Sequence, residues 1–368
     1  MELANEDSLR LNILLCQNVK AIRISESDMI LYALLLDADA DADADPDSDV
    51  VKDIQEKEVS IKLNPICKSE RYIKSVKEFL SSYFLNSPAG YPVYINRWTR
   101  MGQVKNEKAG ELLKIGEPEA IIAIIFSDSI SVEHARYAWW AYPSVESARQ
   151  LLSHDNVANS DLANELAVFL LEFLPFEIEA KDIILVVKLL LERGLMDEDS
   201  KKRLWSKGRR KAAYLIGFLC CDPSCFPEEE SNLVTEGNEN KNKKLEKNLD
   251  VSEIDSIYDF PHQSPQGVRY ISACLNALEN YSDQDSIVLL YDAIKKYFSP
   301  YEVILESSEL HQGEYTQSVK SALLSLAKTS HADLTPVLAQ SNAVGSLLRR
   351  KLNPVTERLK VNLQLLIS

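Results

Sequence analysis

Hydrophobic and polar positions alternate with a period of two in three short segments near the start of the chain. The segments cover residues 21–24, 29–36 and 58–63, and a polar, turn-like run at residues 25–28 separates the first two. Period-two alternation is typical of strands with one buried and one solvated face. The pattern therefore predicts a small antiparallel sheet.

Most of the remaining chain has helical periodicity. Apolar positions spaced by three or four residues predict helices over residues 70–84 and 162–174, and residues 183–191 are apolar nearly all round, which indicates a buried helix ended by Gly194. Further helices are predicted over residues 266–281, 285–298, 315–327, 335–352 and 355–367. We expect a predominantly α fold of stacked antiparallel helices with a small N-terminal antiparallel β-sheet, which makes it α+β overall.

Composition divides the 368 residues into four parts. Residues 1–103 form an N-terminal α+β region with an acidic insert at 37–49, and residues 104–226 form a helical domain. Residues 227–257 are polar, charged and poor in aromatics, as flexible linkers are. Residues 258–368 form a C-terminal helical region.

The net charge is −15, and the insert contributes seven aspartates; without them it is −15 + 7 = −8. Excess negative charge disfavours duplex DNA as a partner. The start of the chain is acidic, unlike a secretory signal, and the longest apolar run, residues 120–126, is far shorter than the roughly 20 residues that span a membrane. We expect a cytoplasmic protein without a membrane span, whose six cysteines are free thiols.

Motifs of common enzyme classes are missing from the sequence. It contains no GxGxxG, HExxH or GxSxG, and its five histidines never pair at metal-ligand spacing. We therefore predict no catalytic residue, no cofactor and no metal, and hence a non-catalytic protein. Because residues distant in sequence can meet in a fold, an enzyme stays as an alternative.

A thiol cluster, Cys220, Cys221 and Cys225, supports that alternative. These residues are candidate reactive thiols of a sulfur carrier or sulfur-handling enzyme, which requires a lowered thiol pKa. Cys221 and Cys225 could also supply half of a zinc site. Alternatively, Cys220 and Cys221 end an apolar helix over residues 212–221 as small buried hydrophobes. The acidic residues 45–56 resemble a calcium loop, but Val50 stands where the loop needs glycine, and a solvated loop is the preferred interpretation.

Residues 201–211 carry seven basic residues and no acid. In a helix that continues to residue 219, Leu204, Gly208 and Leu215 share one face and most charges project from the others. Three interpretations stay open: a solvated helix face, a dock for an acidic protein, and an RNA contact. The candidate partner-binding residues are Lys201, Lys202, Arg203, Trp205, Lys207, Arg209, Arg210 and Lys211.

Residues 87–103 form an irregular aromatic segment with prolines, tyrosines and the run Arg97-Trp98-Thr99-Arg100. One interpretation is a structured connector that packs the sheet onto the helices with Trp98 as its wedge. The other is a binding surface in which Arg97 and Arg100 take carboxylates or make cation–π contacts. Arg97, Trp98 and Arg100 are therefore further candidates for partner binding.

Five peptides give the chain a family resemblance. They are GYPVYINRWTRMGQ (90–103), GEPEAIIAI (116–124), ARYAWWA (135–141), LLEFLPFE (170–177) and LWSKGRRKAAYLIGFL (204–219). Together they resemble the DsrS family, which is associated with the dissimilatory sulfite reductase gene clusters of sulfur-oxidising bacteria. The resemblance covers roughly residues 7–225, and the acidic insert is an addition to the family pattern.

The resemblance implies a soluble cytoplasmic accessory protein of sulfur oxidation through a reverse-acting sulfite reductase. It implies a regulatory or assembly-type role and brings no catalytic residue or cofactor. A protein of the sulfur-oxidation system is then the expected partner, with RNA as a second class of partner.

Overall fold

A computed structural model describes residues 3–36, 56–85, 106–228, 264–302, 317–340 and 342–367. These ranges contain sixteen α-helices and one three-stranded antiparallel sheet, which confirms the predicted predominantly α, α+β fold class. Contacts divide the chain into two compact units, residues 1–172 and 173–368. None of the helices in the described ranges is long and apolar enough to cross a membrane.

The sheet consists of β1 (Val19–Ser25), β2 (Ile30–Leu36) and β3 (Glu56–Lys62), with β2 in the centre. Ala33 of β2 pairs with Ile22 of β1 and with Val59 of β3. The three predicted strands are confirmed within a few residues. The acidic insert follows β2 in the chain, and it lies outside the described residues.

Two helices cover the buried face of the sheet: α1 (Asn5–Leu15) and α2 (Ser69–Leu85), which was predicted over residues 70–84. Their apolar stripes and the inner strand positions form one core, because each element hides one hydrophobic face from water. The core contains Leu11, Leu14 and Leu15 of α1, Ile22, Leu31 and Ala33 of the sheet, and Tyr72, Val76 and Leu80 of α2.

The first unit continues with short helices. They are α3 (Asn106–Leu112), α4 (Pro118–Ile125), α5 (Val132–Ala141), α6 (Val145–Ser153), α7 (Asp155–Ala158) and α8 (Leu162–Phe173). Serine side chains accept backbone N–H groups at the starts of α5 and α6, which fixes where these helices begin. The predicted helix over residues 162–174 is confirmed as α8 and a 3₁₀ turn that follows it.

The second unit is built around the fully buried helix α11 (Ala212–Leu219), which contacts α9 (Ala180–Glu192), α10 (Glu198–Gly208), α12 (Pro265–Asn280) and α13 (Gln284–Phe298). The close contact with α9 needs Gly217, since a Cβ there would lie 2.6 Å from Val187 Cβ. Gly194, with φ +65°, ends α9 as predicted.

The unit is completed by α14 (Gln317–Ala327), the short α15 (Thr335–Leu338) and α16 (Gly345–Ile367). The prediction of two helices over 335–352 and 355–367 is wrong, because α16 runs through Pro354 and the chain breaks earlier, between α15 and α16. A proline removes one backbone hydrogen bond. The buried stripe of Leu348, Leu352 and Leu359 holds the helix together across it.

The predicted domain limits near residues 103, 226 and 257 stay predictions, since they fall in or beside segments outside the described residues. The same holds for most of the predicted linker, of which the structure describes only Pro227 and Glu228.

Candidate binding site

The basic segment does not form the single helix that its spacing predicts. Helix α10 ends at Gly208, and Arg209–Lys211 turn the chain into α11. The last turn tightens through bonds from the Arg209 N–H to the Ser206 carbonyl, 3.3 Å, and from the Arg210 N–H to the Lys207 carbonyl, 3.0 Å. Gly208 lets α11 fold back closely, because a Cβ there would lie 3.0 Å from Leu215 Cβ.

Three cations of the segment are engaged within the fold. Lys201 Nζ lies 2.6 Å from Glu198 Oε1, and Arg203 donates to Ser200 Oγ at 3.0 Å. Lys211 donates to the Glu177 carbonyl at 3.1 Å. These candidates stabilise α10 and the start of α11, so their charges are partly used by the protein itself.

The other cations face solvent. Lys207, Arg209 and Arg210 are exposed, and within the described ranges their side chains make no hydrogen bond or ion pair. Lys202 is half-buried on the same helix. The pKa of Glu198 is lowered mainly by the hydrogen bond from Lys201, and the charge of Lys202 adds to this effect. Free positive charge is therefore concentrated at the C-terminal end of α10.

A cleft of about 690 Å³ opens beside these cations, between α10, α11 and α12. Lys202, Trp205 and Arg209 line one side. The other side comes from α12, where Arg269, Ser272, Ala273 and Asn276 follow one another at helical spacing. The volume lies within the range of small-molecule and peptide side-chain sites.

Trp205 forms the aromatic floor of this cleft. Its ring meets Phe218 edge-on at 5.2 Å and Phe226 at 4.7 Å with a tilt of 47°. The Arg269 guanidinium lies 5.3 Å from the ring centroid and donates to the Pro227 carbonyl at 2.9 Å. These contacts fix the indole and occupy much of its surface, which leaves less of the ring for a stacked base.

The sequence did not point to Arg269. It is the only basic residue of α12. Ser272 and Asn276 follow it at i+3 and i+7, and this spacing could have indicated a polar face of the helix that includes Arg269. Its distance in sequence from the basic segment concealed that both belong to one cleft.

The thiol cluster lies elsewhere in the same unit. Cys221 is buried and donates to the Lys188 and Gly217 carbonyls, both at 3.6 Å. Burial raises the pKa of Cys220 to about 11 and that of Cys221 to about 12. Both thiols are therefore protonated at neutral pH, which is unfavourable for nucleophilic sulfur chemistry.

Cys225 ends a short 3₁₀ turn, Pro223–Cys225, and is partly exposed. Over the described ranges, no group of three or more histidine, cysteine, aspartate or glutamate side chains is placed to hold a metal ion. The candidates Arg97, Trp98 and Arg100 lie outside the described residues, as does most of the calcium-like stretch.

The first unit contains a charged cluster that the sequence did not indicate. Lys77 Nζ lies 3.1 Å from Glu26 Oε1 and 3.2 Å from Glu117 Oε2. Burial raises the pKa of Glu117 to about 8, and a hydrogen bond with Glu119 adds to the shift, whereas the Lys77 ammonium opposes it. Burial is the dominant cause, because the Glu117 side chain is only 13% exposed.

Comparison of the chain with protein-family models, with curated proteins and with solved structures found no match.

Proposed function

We propose that this chain is a non-catalytic binding protein that docks an acidic segment of a protein partner on the C-terminal end of α10. The observation that carries the proposal is the placement of Lys207, Arg209 and Arg210. These cations are exposed and unpaired within the described ranges, and one of them, Arg209, lines a cleft with a fixed tryptophan floor.

The chemistry of the surface favours carboxylates. Guanidinium groups bind carboxylates through two parallel hydrogen bonds, and Arg209 and Arg269 both line the cleft. An acidic peptide can place one carboxylate on Arg209 in the wall of the cleft and others on Lys207 and Arg210 at the end of α10. Charges at the rim mainly speed association and make it sensitive to salt.

The biological setting rests on the resemblance to the DsrS family. We propose that the partner belongs to the cytoplasmic sulfur-oxidation system with a reverse-acting sulfite reductase. In that setting the chain acts as an accessory protein with a regulatory or assembly role.

Two alternatives have weaker support. RNA would use the same cations, but Trp205 is held by Phe218, Phe226 and Arg269, which restricts base stacking. A sulfur carrier or sulfur-handling enzyme needs a thiolate, and the raised pKa values of Cys220 and Cys221 oppose one.

The test is a charge reversal on the proposed surface, Lys207→Glu with Arg209→Glu and Arg210→Glu. The tagged full chain is purified from a sulfur-oxidising bacterium at low and at high salt. Bound proteins are identified by mass spectrometry, and RNA is recovered after crosslinking. We expect the wild type to retain a defined protein at low salt and the reversed variant to lose it.

A matched control reverses three exposed lysines elsewhere in the same unit, Lys181, Lys295 and Lys296. It changes the net charge by the same amount, so it should retain the partner. If the reversed variant binds as well as this control, at every salt concentration, the proposed surface is wrong. Recovery of RNA without protein would replace the protein partner by RNA.

A further inference from the structure

The chain leaves and re-enters the described part of the structure close to the cleft between α10, α11 and α12. Residues 229–263 lie outside the described residues. Pro227 and Glu228, which precede them, line the cleft, and Arg269 holds the Pro227 carbonyl there at 2.9 Å. The chain returns at Ser264, which caps the start of α12. Because an α-helix rises about 1.5 Å per residue, Ser264 lies about 8 Å along the helix axis from Arg269.

The part of this segment that adjoins α12, residues 250–260, is acidic and apolar. Its sequence, DVSEIDSIYDF, contains four carboxylates spaced by two to four residues, and no lysine or arginine. Residues 229–249 differ, since four lysines there accompany five glutamates. The apolar side chains between the acids of residues 250–260 favour a docked segment over a solvated one. They are Val251, Ile254, Ile257, Tyr258 and Phe260.

The cleft offers complementary charge to these carboxylates. Among the described residues that line it, Lys202, Arg209 and Arg269 are basic, and Glu228 alone is acidic. The Arg209 side chain is exposed and has no hydrogen bond or ion pair within the described ranges. Other lining side chains carry hydroxyl or amide groups that can donate to a carboxylate: Ser206, Ser272 and Asn276. A peptide with closely spaced carboxylates therefore matches this wall.

The connection to α12 is long enough for residues 250–260 to reach the cleft. Asp259 precedes Ser264 by five residues, which span up to about 17 Å when extended. Asp250 precedes it by fourteen residues, which span up to about 48 Å. Because the peptide is covalently attached beside the cleft, its effective concentration there is about millimolar, so that weak contacts are enough for binding.

We propose that residues 250–260 occupy this cleft in the free chain, as an internal substitute for the acidic segment of a partner. Their carboxylates pair with the cations of the wall, Arg209 first, because its guanidinium has no other partner within the described ranges. The docking depends on this chain alone, whereas its regulatory consequence rests on the function proposed above. A partner must displace residues 250–260, which lowers its apparent affinity by the factor by which they protect the cleft.

Neutralisation of the segment tests the docking. In the full chain, Glu253→Gln, Asp255→Asn and Asp259→Asn remove three carboxylates, and phenylglyoxal with peptide mass spectrometry measures the access to Arg209. At an effective concentration about ten times the Kd, residues 250–260 fill the cleft about 90% of the time. We therefore expect Arg209 to react about 10-fold faster in the neutralised variant. Arg350, exposed on α16, should react at the same rate in both proteins.

A matched control removes three carboxylates from the other end of the segment, through Glu229→Gln, Glu230→Gln and Glu236→Gln. Arg209 should react in this control as slowly as in the wild type. Raised salt should accelerate its reaction in the wild type but not in the neutralised variant, since salt screens the ion pairs. Equal rates for Arg209 in the wild type and the neutralised variant, or equal acceleration by the control, would overturn the docking of residues 250–260.

A fluorescein-labelled peptide, DVSEIDSIYDF, separates the docking from the proposed function. By fluorescence anisotropy it should bind the neutralised full chain about 10-fold more tightly than the wild type, and Arg209→Gln in the neutralised chain should abolish this gain. Failure to bind the neutralised chain at millimolar concentration would overturn the docking without affecting the proposed partner surface. Faster modification of Arg209 in the neutralised variant, with no partner retained by either protein in the purification, would support the docking and contradict the proposed function.

Discussion

The buried carboxylate of Asp7 connects three parts of the first unit, and its removal tests how that unit is held together. Asp7 is 0% exposed on α1. It accepts hydrogen bonds from the Asn64 N–H at 2.7 Å, from Asn64 Nδ2 at 3.2 Å and from the Tyr72 hydroxyl at 2.5 Å. The carboxylate thereby joins α1 to α2 and to the segment that follows β3.

The loss of stability expected on removal of Asp7 follows from these hydrogen bonds. A hydrogen bond to a charged group contributes about 1.5–3 kcal/mol, and buried donors left without a partner add a penalty. Such terms are not additive within one network. We therefore expect Asp7→Ala to lower the free energy of unfolding by about 3–5 kcal/mol. Tyr72→Phe, which removes one donor, should cost about 1–2 kcal/mol.

Urea unfolding followed by circular dichroism measures both values, and the double variant gives the coupling between Asp7 and Tyr72. Hydrogen exchange of peptides from residues 3–36 then locates the loss in the first unit, since the two units can unfold separately. A cost below about 1 kcal/mol for Asp7→Ala, or no coupling with Tyr72, would refute the reasoning.

Two further predictions concern titratable groups. The folded pKa of Glu117, about 8, lies above its unfolded value of 4.5, so this carboxyl stabilises the fold fully below pH 4.5. That stability, up to about 5 kcal/mol at about 1.36 kcal/mol per pKa unit, is lost as the pH rises to about 8. In Glu117→Gln, the free energy of unfolding measured from pH 5 to pH 9 should lack this loss, and an unaltered profile would contradict it. Cys220 and Cys221 should react slowly with iodoacetamide at pH 7 while the exposed Cys16 reacts, with mass spectrometry as the measurement. Rapid labelling of Cys221 in the folded protein would contradict its raised pKa and support the sulfur-carrier alternative.

The strands and several of the helices were predictable because each follows from a local pattern. Alternation identified β1–β3, and apolar spacing identified α2, α8 and α9 within three residues of their ends. The contacts of Asp7 were not predictable, since Asn64 and Tyr72 are far away in sequence and nothing in the spacing of polar residues connects them.

Both incorrect helix predictions have a tertiary cause. Near Gly208 the periodicity continues, but the absence of a side chain lets α11 turn back against α10, so packing overrides the local pattern. At Pro354 the local rule predicts a break, and the buried leucine stripe of α16 outweighs the lost hydrogen bond.

The candidate binding site was less predictable from the sequence than the secondary structure was. A run of seven cations predicts a charged surface, but a sequence carries no information on which charges the protein pairs internally. The structure separates Lys201, Arg203 and Lys211, which contact groups of their own unit, from Lys207, Arg209 and Arg210, which do not within the described ranges. Cations at a helix C-terminus gain modest stability from the helix dipole, so these three contribute to the fold as well as to the surface that we propose for an anionic partner. The proposed binding surface therefore consists of Lys207, Arg209 and Arg210, with Arg209 in the wall of the cleft, and the paired cations of the segment contribute little to it.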